Sequence, residues 1–146
     1  MILVDANILI YAYNEVAVEH KGARMWLSET LGGPVSVCFS WIVIMAFVRV
    51  STNKKIFVKP YSTNEAFDVV QNWLSAPGSQ VISPGSEHLV IVKRLAHESG
   101  VYGATLTDTH LAALAIEHGI SLATTDSDFE KFAGLKVVNP LTSLKK

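Results

Sequence analysis

Thirteen residues of the chain are acidic, and only five of these are aspartates: Asp5, Asp68, Asp108, Asp126 and Asp128. Asp68 falls inside a helical pattern and suits a solvated face. The other four stand at special places. Asp5 closes the apolar run 1–4, Asp126 and Asp128 follow the run 120–124, and Asp108 opens a helical stretch. Carboxylates drawn to one point repel one another, so a cation must hold them there. Ligation by oxygen alone favours Mg²⁺ or Mn²⁺ over zinc. Such a cation orients and deprotonates a water and stabilises charge on a phosphodiester, which makes metal-assisted phosphodiester hydrolysis the leading chemistry. Aspartate is also a common helix N-cap, and all four positions lie near a helix start. Spacing alone leaves both roles open.

For these acids to meet, the chain must carry them to one edge of a sheet. Short β-branched runs predict strands at 1–4, 35–38, 81–82, 120–124 and 136–138. Between them, apolar periodicity predicts helices at 8–13, 18–31, 41–50, 62–74, 86–99 and 107–117, with a short one at 126–132. Asp5-Ala6-Asn7, Ser40, Ser62 and Thr107-Asp108 suit helix starts; Gly32-Gly33, Ala76-Pro77-Gly78, Gly100 and Gly119 suit helix ends. Alternating strands and helices imply an α/β fold with a mostly parallel sheet and helices on both faces. In such sheets function gathers just beyond the carboxyl ends of the strands.

The chain has 146 residues, 49% of them hydrophobic, which predicts one domain over 1–146 with a substantial core. Its formal net charge of −1 excludes a global positive field. The single cysteine, Cys38, excludes an internal disulfide and a multi-cysteine zinc site. The first residues lack a basic leader, and the most apolar stretch, 39–48, reaches about half of a membrane span. These features predict a soluble, intracellular protein.

Arg49, Lys54, Lys55 and Lys59 form a basic stretch uninterrupted by acids, with Phe57 and Tyr61 interleaved. Such a loop can track phosphates while an aromatic ring stacks a base, or it can be a solvated connection. Asn7, Thr107 and Thr125 flank the acids and can orient a carboxylate or a water, or serve as local caps. The five histidines show no metal spacing; His88 reads as isolated, and His110 stands two residues after Asp108. Trp26, Trp41 and Trp73 fall at apolar helix positions and suit core or interface. There is no glycine-rich phosphate loop and no recognisable Ser or Cys nucleophile. A phosphoacceptor of response-regulator type needs a lysine near the end of a late strand, whereas Lys136 opens its strand.

These motifs resemble the PIN-domain ribonucleases, specifically the VapC-type toxins of bacterial toxin–antitoxin pairs. The resemblance rests on Met1-Ile2-Leu3-Val4-Asp5-Ala6-Asn7, on WIVIMAFVRVSTN at 41–53, on LTDTHLAALA at 106–115, on ATTDSDF at 123–129 and on GLKVVNPL at 134–141. It implies a PIN-like three-layer α/β/α fold with a central five-stranded parallel sheet. It also implies a Mg²⁺-dependent endoribonuclease, cytoplasmic and bacterial, that cleaves structured RNA such as tRNA or ribosomal RNA and so arrests translation. Asp5, Asp108 and Asp126 match family metal-site acids, and Asp128 matches a more variable acid nearby. The family's partners are a cognate antitoxin, whose extended C-terminal segment blocks the site, and a second copy of the toxin. One position departs from the pattern. Where the family places a glutamate three residues before Arg49, this chain has Ala46, and no acid occurs between Glu29 and Glu65. A disarmed nuclease and a natural variant that binds with little catalysis both fit that change.

Overall fold

A computed structural model describes residues 1–142. Its strands are β1 (Ile2–Val4), β2 (Val37–Phe39), β3 (Gln80–Val81), β4 (Ser121–Ala123) and β5 (Val137–Val138). Its helices are α1 (Ala6–Tyr13), α2 (His20–Leu31), α3 (Trp41–Ser51), α4 (Thr63–Leu74), α5 (His88–Ser99) and α6 (Thr105–Glu117), and a 3₁₀ turn spans Ser127–Lys131. The sheet order is β3-β2-β1-β4-β5 and every pairing is parallel. The expected α/β architecture with a five-stranded parallel sheet is therefore present. Leu3, Val4, Cys38, Phe39, Leu122 and Ala123 are all fully buried, as strands covered on both faces require. Among the described residues no helix is long and apolar enough to cross a membrane.

The strand order reverses between β1 and β4. This is the point where the connections leave in opposite directions and open a crevice at the carboxyl edge. Asp5 follows β1 there, and its N–H donates to the Ala123 carbonyl of β4 at 2.9 Å.

Local chemistry explains the helix starts. Ser40 Oγ accepts from the Val43 N–H and starts α3, and Ser62 with Glu65 closes a reciprocal capping box on α4. Trp73 is buried, stacks on Phe39 at 5.6 Å and donates from Nε1 to the Tyr13 hydroxyl at 3.0 Å. Its indole N–H is thus satisfied inside an aromatic core. Trp41, by contrast, is exposed on α3.

Several expectations shift. α1 begins directly at Ala6, because Asp5 itself caps it. α2 begins at His20 rather than residue 18: the Ala17 and His20 N–H groups close successive turns onto Asn14 and Ala17, leaving Val16 and Val18 in solvent. β2 begins at Val37, not residue 35. Asp108 does not cap α6. Gly103 turns the chain at a φ of 64°, and the Leu106 and Thr107 N–H groups bond to the Gly103 and Ala104 carbonyls. The helix therefore starts at Thr105, and Asp108 lies in its first turn. Phe57 is buried, so its ring is unavailable to a base.

Candidate active site

Asp5 is held from two sides. Its Oδ1 accepts from the Ala6 N–H at 2.7 Å, and its Oδ2 accepts from the Thr124 hydroxyl at 2.7 Å. Thr124 is buried at the carboxyl end of β4, and its Oγ1 also accepts from Asn7 Nδ2 at 3.2 Å and from the Asp126 N–H at 3.1 Å. One hydroxyl offers one proton and two lone pairs, and here all three are used. Thr124 thus ties the loop after β1 to the loop after β4. Sequence reasoning chose Thr125 and missed Thr124. The available signal was its place as the first hydroxyl after Ser121-Leu122-Ala123, level with Asp5 on the neighbouring strand.

Asp108 reaches the same place from α6. Asp5 and Asp108 line one cleft of about 310 Å³ together with Thr107, Ala46 and Arg49, and Ile42, Val43 and Leu111 form its apolar wall. Arg49 is exposed on α3, one turn after Ala46, and pairs with no carboxylate among the described residues. Asp126 caps the 3₁₀ turn, accepting from the Asp128 N–H at 2.9 Å, while Asp128 is exposed. Lys54 and Lys55 are exposed in the loop beyond α3 and do not line the cleft; the Lys55 N–H donates to Asn53 Oδ1.

The acids feel one another. Burial is the main influence raising the Asp5 pKa, opposed by the hydrogen bonds from Thr124 and Ala6, and the charges of Asp108 and Asp126 raise it further. The Asp108 pKa is also raised, first by burial, then by Asp126, with Lys131 opposing and Asp128 adding. Asn7 Oδ1 is buried without a protein partner beside this cluster. Orphaned acceptors of this kind mark places for a water or an ion.

A divalent cation fits this donor chemistry. The donors are oxygens only, and small hard cations keep several waters while taking one or two carboxylates. Asp5 and Asp108 supply two in one cleft. Among the described residues no group of three Asp, Glu, His or Cys side chains forms a ready-made cage. Ala46, on the same wall, adds no carboxylate.

His88 is not isolated, because the fold lays α5 along α6. His88 Nε2 lies 2.9 Å from His110 Nδ1, and His88 Nδ1 lies 3.5 Å from Glu117 Oε1. The Glu117 carboxylate also accepts the Gly85 and Glu87 N–H groups, tying the loop before α5 to the end of α6. Burial and the nearby His88 both hold the His110 pKa below its usual value.

The family model described as PIN domain matches residues 2–135. The chain is 38% identical over 140 residues to Ribonuclease VapC37 of Mycobacterium tuberculosis, covering 96% of this chain and 97% of that protein. Its fold is similar to VapBC2 from Rickettsia felis bound to a DNA fragment from the promoter, with a TM-score of 0.69, 20% identity, and coverage of 95% of this chain and 98% of that one. It is also similar to Mycobacterium tuberculosis VapC20, a sarcin-ricin loop cleaving toxin, with a TM-score of 0.63, 18% identity, and coverage of 93% and 99%. With the strand order, the crevice between β1 and β4 and the acids at its rim, these findings establish that the chain belongs to the PIN-domain family.

Proposed function

We propose that this chain is the toxin of a toxin–antitoxin pair, a metal-dependent endoribonuclease that hydrolyses phosphodiesters of structured RNA and thereby inhibits translation. The observation that carries this is the convergence of Asp5 and Asp108, 103 positions apart in the chain, on one cleft with Arg49 on its wall. Relatives named ribonucleases support the same chemistry.

Asp5 and Asp108 hold the cation, proposed to be Mg²⁺ with Mn²⁺ as the alternative, and Asp126 and Asp128 lend charge beside it. The bound cation supplies an activated water and offsets charge on the phosphodiester. Thr124 and the Ala6 N–H aim the Asp5 carboxylate, and Asn7 and Thr107 present polar groups at its edge. Thr125 stands one residue from Thr124 as a lesser support. Arg49 contacts phosphate oxygens, and Lys54 and Lys55 attract the RNA from farther out. A cognate antitoxin covers the cleft: Trp41, Ile42 and Met45 are exposed on α3 and offer it apolar contact. Two copies of the toxin form the working assembly.

Ala46 favours a second reading, a catalytically silent PIN-fold protein that keeps antitoxin or RNA binding. Incubating total RNA with this chain, with Ala46→Glu and with Asp5→Asn, in Mg²⁺, Mn²⁺ or chelator, separates the two. Metal-dependent cutting by the Glu form alone marks this chain as a weakened nuclease. Cutting by both that Asp5→Asn abolishes marks Ala46 as tolerated. Absence of cutting by every form leaves the silent reading.

A further inference from the structure

A second cleft, of about 470 Å³, opens at the start of α6, lined by Gly100, Tyr102, Gly103, Thr105 and Lys131. We propose that this cleft binds a nucleotide of single-stranded RNA flanking the scissile phosphate, its base stacked on Tyr102 and its phosphate held by Lys131. The proposal rests on the ribonuclease reading of the neighbouring cleft.

Tyr102 is 83% exposed, the most open aromatic side chain described, and its ring takes no part in the aromatic contacts of the core. A flat aromatic face open to solvent is a sequence-tolerant platform for a base. The loop that carries it is defined. Gly100 and Gly103 have φ of 63° and 64°, and the Thr105 hydroxyl donates to the Tyr102 carbonyl at 2.7 Å. Nothing lies within 4 Å of where a Cβ would stand on either glycine, so the backbone beside the ring is open to close approach.

Lys131 supplies the charge. Its carbonyl accepts a 3.5 Å hydrogen bond from Ser99 Oγ, which fastens the 3₁₀ turn to the end of α5. Its ammonium lies 5.4 Å from the centroid of the Phe132 ring, and the side chain lines this cleft. Thr105 and Asp108 are three residues apart on α6, which makes them surface neighbours about 5–6 Å apart at Cβ. A strand with one phosphate at Asp108 therefore reaches this cleft with an adjoining nucleotide.

The test measures binding of a labelled single-stranded RNA of mixed sequence, about 12 nucleotides long, by fluorescence anisotropy in Ca²⁺ over a range of salt. Tyr102→Ala is expected to weaken binding about ten-fold with an unchanged Tm, while Tyr102→Phe and Tyr102→Trp bind like the parent. Lys131→Gln is expected to reduce the slope of log affinity against log salt by about one, and Lys131→Arg to restore it. Arg49→Ala reports separately on the neighbouring cleft. If Arg49→Ala weakens binding and Tyr102→Ala does not, this nucleotide site is overturned and the ribonuclease reading stands. Tyr102→Phe binding as weakly as Tyr102→Ala overturns stacking. A parent chain that does not bind this single-stranded RNA in any condition overturns the nucleotide site alone; the ribonuclease reading falls only if total RNA stays uncut by every form.

Discussion

Thr124→Val keeps a β-branched side chain of nearly the same shape and deletes one hydroxyl. That hydroxyl donates to a carboxylate at 2.7 Å and accepts from an amide and a backbone N–H at 3.2 and 3.1 Å. A hydrogen bond to a charged group contributes about 1.5–3 kcal/mol and a neutral one about 1 kcal/mol. The added methyl returns about 0.8 kcal/mol by burial, so the net loss is about 3 kcal/mol. For a chain of this size that lowers Tm by roughly 9 °C. The loss also reaches the chemistry. The Thr124 hydrogen bond is the larger of the two that lower the Asp5 pKa against burial, so removing it pushes that pKa farther up. Mn²⁺ affinity should therefore fall at neutral pH and recover as pH rises, whereas Thr124→Ser should behave like the parent. Thermal unfolding in chelator and calorimetric Mn²⁺ titration at several pH values measure the two effects. A Thr124→Val protein within about 1 °C of the parent, with the same Mn²⁺ affinity at every pH, refutes the role given to this hydroxyl.

Ala46→Glu places another carboxylate on the wall shared by Asp5 and Asp108. At an effective dielectric near 20, charges about 6 Å apart repel by about 3 kcal/mol, so thermal unfolding in chelator should show a destabilised protein even after Arg49 offsets part of the repulsion. Calorimetry should show metal affinity raised about ten-fold or more, a gain of about 1.4 kcal/mol. Asp108 has a raised pKa, so the stability it confers is present at acid pH and lost as pH rises through the folded value. Asp108→Asn should consequently raise the metal-free Tm at neutral pH and have little effect at acid pH, and it should abolish stabilisation by divalent metal. The Glu117 pKa is lowered, first by the Gly85 N–H. Its contribution is present above the unfolded carboxyl pKa and fades as pH falls through the folded one. Glu117→Gln should speed hydrogen exchange at the Gly85 and Glu87 amides, with the difference from the parent shrinking in acid.

Asp5 and Asp126 were legible because each follows a strand and a parallel sheet gathers such residues at its carboxyl edge, whereas Asp108, in the first turn of α6, was marked only by the motif around it. Caps at Ser40 and Ser62 were legible for a similar local reason, since each bonds a backbone N–H three residues on. What escaped notice was long-range. Thr124 acts on a carboxylate 119 residues away, and His88 meets His110 only because α5 packs along α6. Asp108 was misplaced as a cap because Gly103 starts the helix from backbone hydrogen bonds alone. The Lys54 and Lys55 loop reads in sequence as continuous with Arg49, yet only Arg49 borders the cleft.

The bond between Asp5 and Thr124 joins the beginning of the chain to nearly its end. A ribosome that has made the first hundred residues has made Asp5, Asn7 and Ala46, but neither Asp108 nor the hydroxyl that holds Asp5. The half-made chain thus has no finished cleft, because both the second carboxylate and the last strands of the sheet are still missing. Loss of the tail beyond β4 by premature termination would leave Asp5 untied in the same way. The cleft is therefore assembled late in synthesis and all at once, when the segment carrying Asp108 and Thr124 joins a sheet whose first strands have long been made.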